Sequence, residues 1–248
     1  MKQLNIKKYS PASALRNSID AYWSIKNISA QEISIPIVPD GCMDIIYQAG
    51  EIVCIGAMSE ALLVHIQAHE YTFGIRFKPS VLPQLLDLKA YTLTDKRVAL
   101  SDLSLDLFTL LNFDEEDESK KVFALDEIFK QKFEPIVLNQ TIVNAVEYIV
   151  SHQGNIQVSE LQKQLDLSTR QIERLFQNYI GYSAKKFCNI VRFFTLFKEI
   201  IQQDVQNLSL KAYDYGYCDQ AHLNKEFKKF SNFTPTHEIM SVFYKTKE

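Results

Sequence analysis

A short segment in the last third of the chain concentrates side chains that hydrogen-bond well to the edges of nucleic acid bases. In TRQIERLFQNY, residues 169–179, the polar residues Arg170, Glu173, Arg174 and Gln177 are spaced by three and four positions. A helix would place them all on one side. Arginine pairs with O6 and N7 of guanine, and glutamate accepts a hydrogen bond from N4 of cytosine. The spacing therefore predicts a helical surface that reads base edges, although Glu173 is equally compatible with an ordinary solvated carboxylate.

A second segment, QAHLNKEFKKF at residues 220–230, has the same character. Glutamine and asparagine pair with adenine, an alanine methyl contacts the thymine methyl, and lysines suit phosphates or guanine. Its outward positions are predicted to be Gln220, Ala221, Asn224, Lys225 and Lys228, and Lys229 is a further lysine predicted to contact phosphates or guanine.

Both segments need helices that turn these side chains outward. Apolar residues occupy the opposite side of the first helix, which Ser168 is suited to cap and Gly181 to end. Asp219 and Asn232 take these two roles around the second helix. A short helix and a turn precede each segment, over 158–168 and 208–219, and Ser183–Gln203 forms a long helix between the two copies.

This repeated pattern predicts two helix-turn-helix units joined by one long helix. An ordinary all-α bundle with two similar hairpins is the structural alternative. A final short helix is expected to begin at Thr234-Pro235.

The first half of the chain reads as β-rich. Short runs rich in Ile, Val, Tyr and Phe alternate with turn residues, and two segments have helical spacing. The predicted strands are Met43–Ala49, Glu51–Ala57, Leu62–Ala68 and Tyr71–Lys78, and the predicted helices are Val81–Leu88 and Ser119–Gln131. His65 and His69 lie within apparent strand, about 13 Å apart and too far to share a metal. Asp40 and Asp44 flank a turn and are expected to form it.

Charge and composition support two domains. The boundary is expected near Pro135, giving a domain over 1–134 and an all-α domain over 135–248. Residues 1–135 carry 14 Lys and Arg against 19 Asp and Glu, and residues 136–248 carry 13 against 11. The positive excess of the second half is small, so DNA binding rests on the residue pattern and not on the charge.

The sequence offers little for catalysis or for cofactor binding. It has no zincin, Walker A, dinucleotide-binding or nucleophile-elbow motif, and its four cysteines form no C-x-x-C pair. We therefore expect a protein that is not an enzyme and holds neither metal nor cofactor. No signal peptide or long apolar stretch is present, so we expect a cytoplasmic protein that does not enter a membrane.

The C-terminal half resembles the AraC-type family of bacterial transcription regulators over about 100 residues. The matching positions of the second unit are Ala212, Gly216-Tyr217, Asp219, Leu223, Phe227-Lys228-Lys229, Asn232 and Thr234-Pro235. Those of the first are Leu161, Leu167-Ser168, Arg174, Phe176, Gly181, Ser183 and Arg192. Ala184, Lys198 and Asn232 depart from the family's usual Pro, Ala and Gly. The resemblance implies two units on successive major grooves of double-stranded DNA, with Arg192 in a structural ion pair.

The N-terminal half is similar to a domain of unknown function often found before AraC-type modules. Residues 39–46, PDGCMDII, and 74–79, GIRFKP, carry this similarity. It implies a loosely cupin-like sensor domain that responds to a small-molecule effector or partner and names no ligand. Dimerisation is an expectation from this class, and the apolar residues around Leu100–Leu111 suit either an interface or the core.

Two other functions stay open at this point. One is a thiol sensor or alkyl acceptor that uses Cys42 or Cys54 beside a DNA-binding module. The other is an interaction protein whose repeats no longer bind DNA, which the low net charge of −3 keeps open.

Overall fold

The computed structural model describes residues 3–203 and 212–233. Its N-terminal part contains eight strands in two open antiparallel sheets, so it is β-rich without closing into a single barrel. Six strands form the larger sheet in the order β1-β2-β7-β4-β5-β8, and β3 pairs with β6. The strands are β1 (Leu4–Tyr9), β2 (Ile19–Asn27), β3 (Ile33–Ile37), β4 (Met43–Gln48), β5 (Glu51–Ile55), β6 (Leu62–Ile66), β7 (Tyr71–Phe77) and β8 (Arg97–Ala99).

The larger sheet uses one face for the main core. Successive side chains of a strand point to opposite faces, and Phe73, Ile75 and Phe77 of β7 share the buried face. Across it lies α4 (Glu118–Phe133), whose Phe129 packs edge-on against Phe77 with ring centroids 5.4 Å apart. The opposite face carries Arg76 and a glycine against which the Trp23 indole packs. A second, small apolar cluster joins the β3–β6 ribbon to β1 and β2 of the larger sheet.

The segment between β7 and α4 is mainly helical. It contains α1 (Val81–Leu85), a 3-10 helix at Ala90–Thr92, α2 (Leu100–Leu103) and α3 (Leu105–Leu111). Leu100, Leu107 and Leu111 are buried, whereas Leu105 and Leu110 are exposed. The apolar run 100–111 therefore divides between the core and the surface.

Among the described residues of the C-terminal half, the regular secondary structure is all helical. Its elements are α5 (Gln140–Ser151), α6 (Val158–Leu165), α7 (Thr169–Tyr179), α8 (Ala184–Gln203) and α9 (Gln220–Ser231). Residues 212–214 are also helical, while Ser209 and the helix expected at Thr234-Pro235 lie outside the described residues. Among the described helices, none combines the length and hydrophobicity needed to cross a lipid bilayer.

One hydrophobic core runs through both halves. At the junction, Gly41 packs so closely on Phe187 of α8 that an added Cβ would lie 2.6 Å from the ring. The Thr94 hydroxyl donates to the carbonyl of Gly181, between α7 and α8, at 3.0 Å. After α9, the Asn232 amide donates to the carbonyl of Ala61 at 3.3 Å. The N-terminal half thus contacts both predicted helix-turn-helix units.

Several expectations about the N-terminal half were wrong or incomplete. His69 is not in a strand but in a turn with φ 61°, since β6 ends at Ile66. Asp44 does not form a turn, because it lies inside β4 opposite Arg76. Strands β1, β2, β3 and β8 were not predicted, since burial and pairing with other strands, more than local pattern, make these segments extended.

Candidate nucleic-acid interface

Local capping positions α7. The Ser168 hydroxyl accepts a hydrogen bond from the backbone N–H of Gln171, and the Gln171 side chain accepts one from the backbone N–H of Ser168. This reciprocal pair satisfies two donors that the first turn of a helix leaves free. The helix accordingly begins where the sequence predicts.

The exposed side of α7 carries the predicted polar residues. Arg170, Arg174 and Gln177 are exposed, and Glu173 is partly exposed. Ile172 and Phe176 on the other side are fully buried, and the Phe176 ring lies 5.9 Å from that of Phe187. Hydrophobic burial therefore fixes the rotation of α7 and turns these polar groups outward.

The same construction recurs in α9. Its first turn is capped by Asp219, whose carboxylate accepts from the backbone N–H of His222 at 2.7 Å. The helix ends at Asn232, which adopts the left-handed conformation with φ 63°. The residues predicted to contact DNA are all exposed except Asn224, which is partly buried: Gln220, Ala221, Asn224, Lys225, Lys228 and Lys229.

A buried ion pair joins α8 to α9. The Arg192 guanidinium donates to the Glu226 carboxylate at 2.7 Å, with side-chain exposures of 13% and 8%. Burial acts to lower the pKa of Arg192, but the neighbouring Glu226 charge holds it above its usual value. The Tyr217 hydroxyl donates to the same carboxylate at 3.3 Å. The ion pair expected for Arg192 is confirmed.

The partner of Arg192 was missed at the sequence level. When the two repeats are superposed, Glu226 falls opposite Leu175, which is an apolar position in the first unit. A charged residue at a core position is uncommon unless it is paired. That mismatch was the available signal for a buried ion pair.

His222 packs inside the second unit. Its Nδ1 accepts from the backbone N–H of Cys218 at 3.4 Å, and its ring meets the Tyr217 ring edge-on at 5.4 Å. The histidine therefore supports the turn before α9.

Several cations on these surfaces are unpaired. Within the described part of the chain, Arg170, Arg174, Lys225 and Lys228 form no ion pair with a carboxylate. Their charges can therefore meet an external anion without first breaking an internal contact.

The candidate thiols of the N-terminal half are poor nucleophiles. Burial raises the pKa of Cys54 to about 12 and that of Cys42 well above its usual value, although Arg76 acts in the opposite direction on Cys42. Thiolate is the reactive form, so these environments disfavour thiol chemistry. Asp40 and Asp44 instead pair with Arg76, at 2.9 and 3.3 Å.

Two family models match the chain. Residues 7–99 match a domain of unknown function (DUF6597), and residues 161–238 match a helix-turn-helix domain. No curated protein matches.

Several solved structures of ToxT from Vibrio cholerae are similar over nearly the whole chain. ToxT from strain O395 is 12% identical with a TM-score of 0.44, over 99% of this chain and 98% of that one. A complex of it with (E)-4-(8-methylnaphthalen-1-yl)but-3-enoic acid is 12% identical with a TM-score of 0.46, over 97% and 98%. ToxT from strain SCE256 bound to an unsaturated fatty acid is 11% identical with a TM-score of 0.44, over 96% and 94%.

Proposed function

We propose that this chain, which matches a DUF6597 domain over residues 7–99 and a helix-turn-helix domain over residues 161–238, is an AraC-type transcription regulator that binds double-stranded DNA at specific sequences. One observation carries the proposal. Two separately capped helices, α7 and α9, each bury an apolar side in a common core and expose a row of polar side chains of the types that pair with base edges. Both rows retain residue types that pair with bases or phosphates, and this retention favours DNA binding over a degenerate repeat.

We assign base reading in the first unit to the exposed side of α7. Arg170 and Arg174 suit bidentate contact with guanine, and Glu173 suits the amino group of cytosine. Gln177 lies one turn beyond Glu173 on the same side and extends this row. The recognition helix of a helix-turn-helix unit contacts bases with its N-terminal residues, so Arg170 would reach most deeply into the groove.

The second unit has a complementary set of groups. Gln220 and Asn224 suit adenine, and Ala221 suits a thymine methyl. Lysines dominate the remainder of α9, where they suit phosphates or guanine: Lys225, Lys228 and Lys229. The two helices would occupy successive major grooves about 34 Å apart, with α8 setting the spacing or the DNA bending to meet it.

We assign residues 1–134 to sensing and residues 135–248 to DNA binding. The shared core and the junction contacts support control of one by the other, because a change near Thr94 or Ala61 reaches Gly181 or Asn232 directly. A small-molecule effector would act by binding two arrangements of this junction with different affinity. The exposed side chains of Leu105 and Leu110, at 67% and 40%, make α3 our candidate surface for a homodimer.

The proposal is tested by selecting bound duplexes from a random pool and measuring affinity for the recovered site against salt concentration. We expect strong enrichment and a steep loss of affinity with salt, because phosphate contacts release counterions. Arg170→Ala should weaken binding by about 1–3 kcal/mol and relax one position of the site, whereas Lys225→Ala should weaken it for all sequences and make the salt dependence shallower.

Lys120→Ala is the matched control, because it removes one exposed positive charge from α4 in the N-terminal half. It should leave both affinity and salt slope unchanged. Failure of the folded protein to enrich any sequence, with or without a screened effector, would contradict the proposal and favour an interaction protein.

A further inference from the structure

A cleft of about 440 Å³ lies between the start of α5 and the flank of α7. Its size is in the range of specific binding sites. Six polar side chains line it, together with two leucines: Asn139, Thr141, Gln171, Arg174, Asn178 and Tyr179.

The chemistry of this cleft suits an anion. Its described lining contains one guanidinium, three amides and two hydroxyls but no carboxylate, in a chain whose net charge is −3. The Asn139 amide donates to the Tyr179 hydroxyl at 3.3 Å, which leaves the hydroxyl hydrogen of Tyr179 available to another acceptor. Arg174 forms no ion pair within the described residues. A group with several acceptor oxygens and a negative charge would therefore be well matched.

The position of the cleft relates it to the DNA backbone. Successive residues of a helix are about 100° apart, so Gln171 and Asn178 lie about 80–100° around α7 from Arg170. The major groove is about 12 Å wide and a helix with its side chains is about 10–12 Å across, so a phosphate backbone runs along each flank of an inserted helix. When Arg170 points at the bases, the cleft points at one of these two backbones.

We propose that this cleft holds a phosphate of the DNA backbone beside the groove that α7 enters, an inference that rests on the proposed function. Asn178, Tyr179 and Gln171 donate to the phosphate oxygens. Arg174, at the edge between the cleft and the base-reading side, reaches the same phosphate or the adjoining base. The contact fixes the depth and register of α7 and carries no sequence information itself.

A side chain of the N-terminal half holds one wall of the cleft in place. The backbone N–H of Asn139 donates to the Gln84 side chain of α1 at 2.7 Å, and Asn139 in turn contacts Tyr179. The Tyr179 hydroxyl is thus positioned before DNA arrives, which reduces the entropy lost on binding.

The test replaces single phosphates of the selected site by uncharged methylphosphonates and measures the affinity of each duplex. Wild-type protein should lose about 10-fold or more in affinity at one or two adjacent positions on one strand, since an uncharged methylphosphonate removes the charge that strengthens these hydrogen bonds. In Asn178→Ala and in Tyr179→Phe, the same methylphosphonates should cost less than about 3-fold, because the protein partner is already gone. All other positions should behave as in the wild type.

Asn144→Ala is the matched control, because Asn144 is an exposed asparagine of α5 outside the cleft. It should reproduce the wild-type pattern at every position. If both cleft variants do so as well, the cleft contacts no backbone phosphate and the proposal is overturned.

Free inorganic phosphate has the same acceptor oxygens and negative charge as a backbone phosphate, and it is the alternative ligand of the cleft. Millimolar phosphate could protect the wild-type protein, but not Asn178→Ala, against thermal unfolding. If it does so while no DNA position is coupled to the cleft variants, the cleft binds a free phosphate compound and the DNA assignment is overturned. Wild-type protein that binds no selected site contradicts the proposed function as well, whereas tight wild-type binding without a coupled position contradicts the cleft alone.

Discussion

Breaking the buried ion pair between Arg192 and Glu226 should destabilise the second helix-turn-helix unit more than any surface change. At 2.7 Å and an effective dielectric constant of about 20, the attraction is at most about 6 kcal/mol. Desolvation offsets much of this, but removal of one partner leaves the other charge buried and costs about 3–5 kcal/mol. The Tyr217 ring, 4.6 Å from the Arg192 guanidinium, still stabilises that charge in part.

We therefore expect Glu226→Leu to cost about 3 kcal/mol, which corresponds to about 6–12 °C in melting temperature for a chain of this size. Glu226→Gln should cost less, since its amide oxygen still accepts from the guanidinium. Urea unfolding followed by circular dichroism and by tryptophan fluorescence measures the free energy and tests whether both halves unfold together.

The double variant Arg192→Met with Glu226→Leu is the decisive control. Replacing a whole buried pair by apolar groups of similar volume is often neutral or stabilising, so the double variant should recover most of the loss. The reasoning is refuted if each single variant costs under about 1 kcal/mol, or if the two losses simply add in the double variant.

Three further predictions concern the junction, pH dependence and thiol reactivity. Gly181→Ala should lower the free energy of unfolding in urea by more than about 2 kcal/mol, because φ is 101° and an added Cβ would lie 2.2 Å from a threonine hydroxyl across the junction. Gly50→Ala, with φ 78° and open space around it, should show the backbone cost of about 1 kcal/mol alone; equal losses would contradict tight packing at the junction. Partial burial acts to raise the pKa of Glu118, but hydrogen bonds from a lysine and two tyrosines lower it from 4.5 to about 2. The contribution of Glu118 to the free energy of unfolding, about 1–3 kcal/mol, is therefore complete above about pH 4.5 and is lost as the pH falls through about 2. The free energy of unfolding of Glu118→Gln should not show this pH dependence. In the native protein at pH 8, the exposed Cys218 should react rapidly with a disulfide reagent, whereas Cys54, with a pKa of about 12, holds about 10⁻⁴ of its thiol as thiolate. Rapid modification of a variant in which Cys42, Cys188 and Cys218 are all replaced by serine would contradict the buried environment of Cys54.

The sequence by itself determined the elements whose causes are local. The start of α7 follows from the capping pair of Ser168 and Gln171, and the end of α9 follows from an asparagine that tolerates the left-handed conformation at 232. Apolar spacing at three and four residues set which side of each helix is buried. Because these signals act within one or two turns, they are legible without knowledge of the remainder of the chain.

Tertiary structure decided what depends on distant segments. Glu226 is buried because Arg192 of α8 reaches it, and Asp44 belongs to a strand because Arg76 lies opposite it in the sheet. Strands β2, β3 and β8 are extended because they pair with strands remote in sequence, and β1 is extended because it pairs with β2. The cleft beside α7 exists because α5 packs there with its first residues held from α1. In each case the deciding energy is a pairing or burial across many residues, which local propensity does not encode.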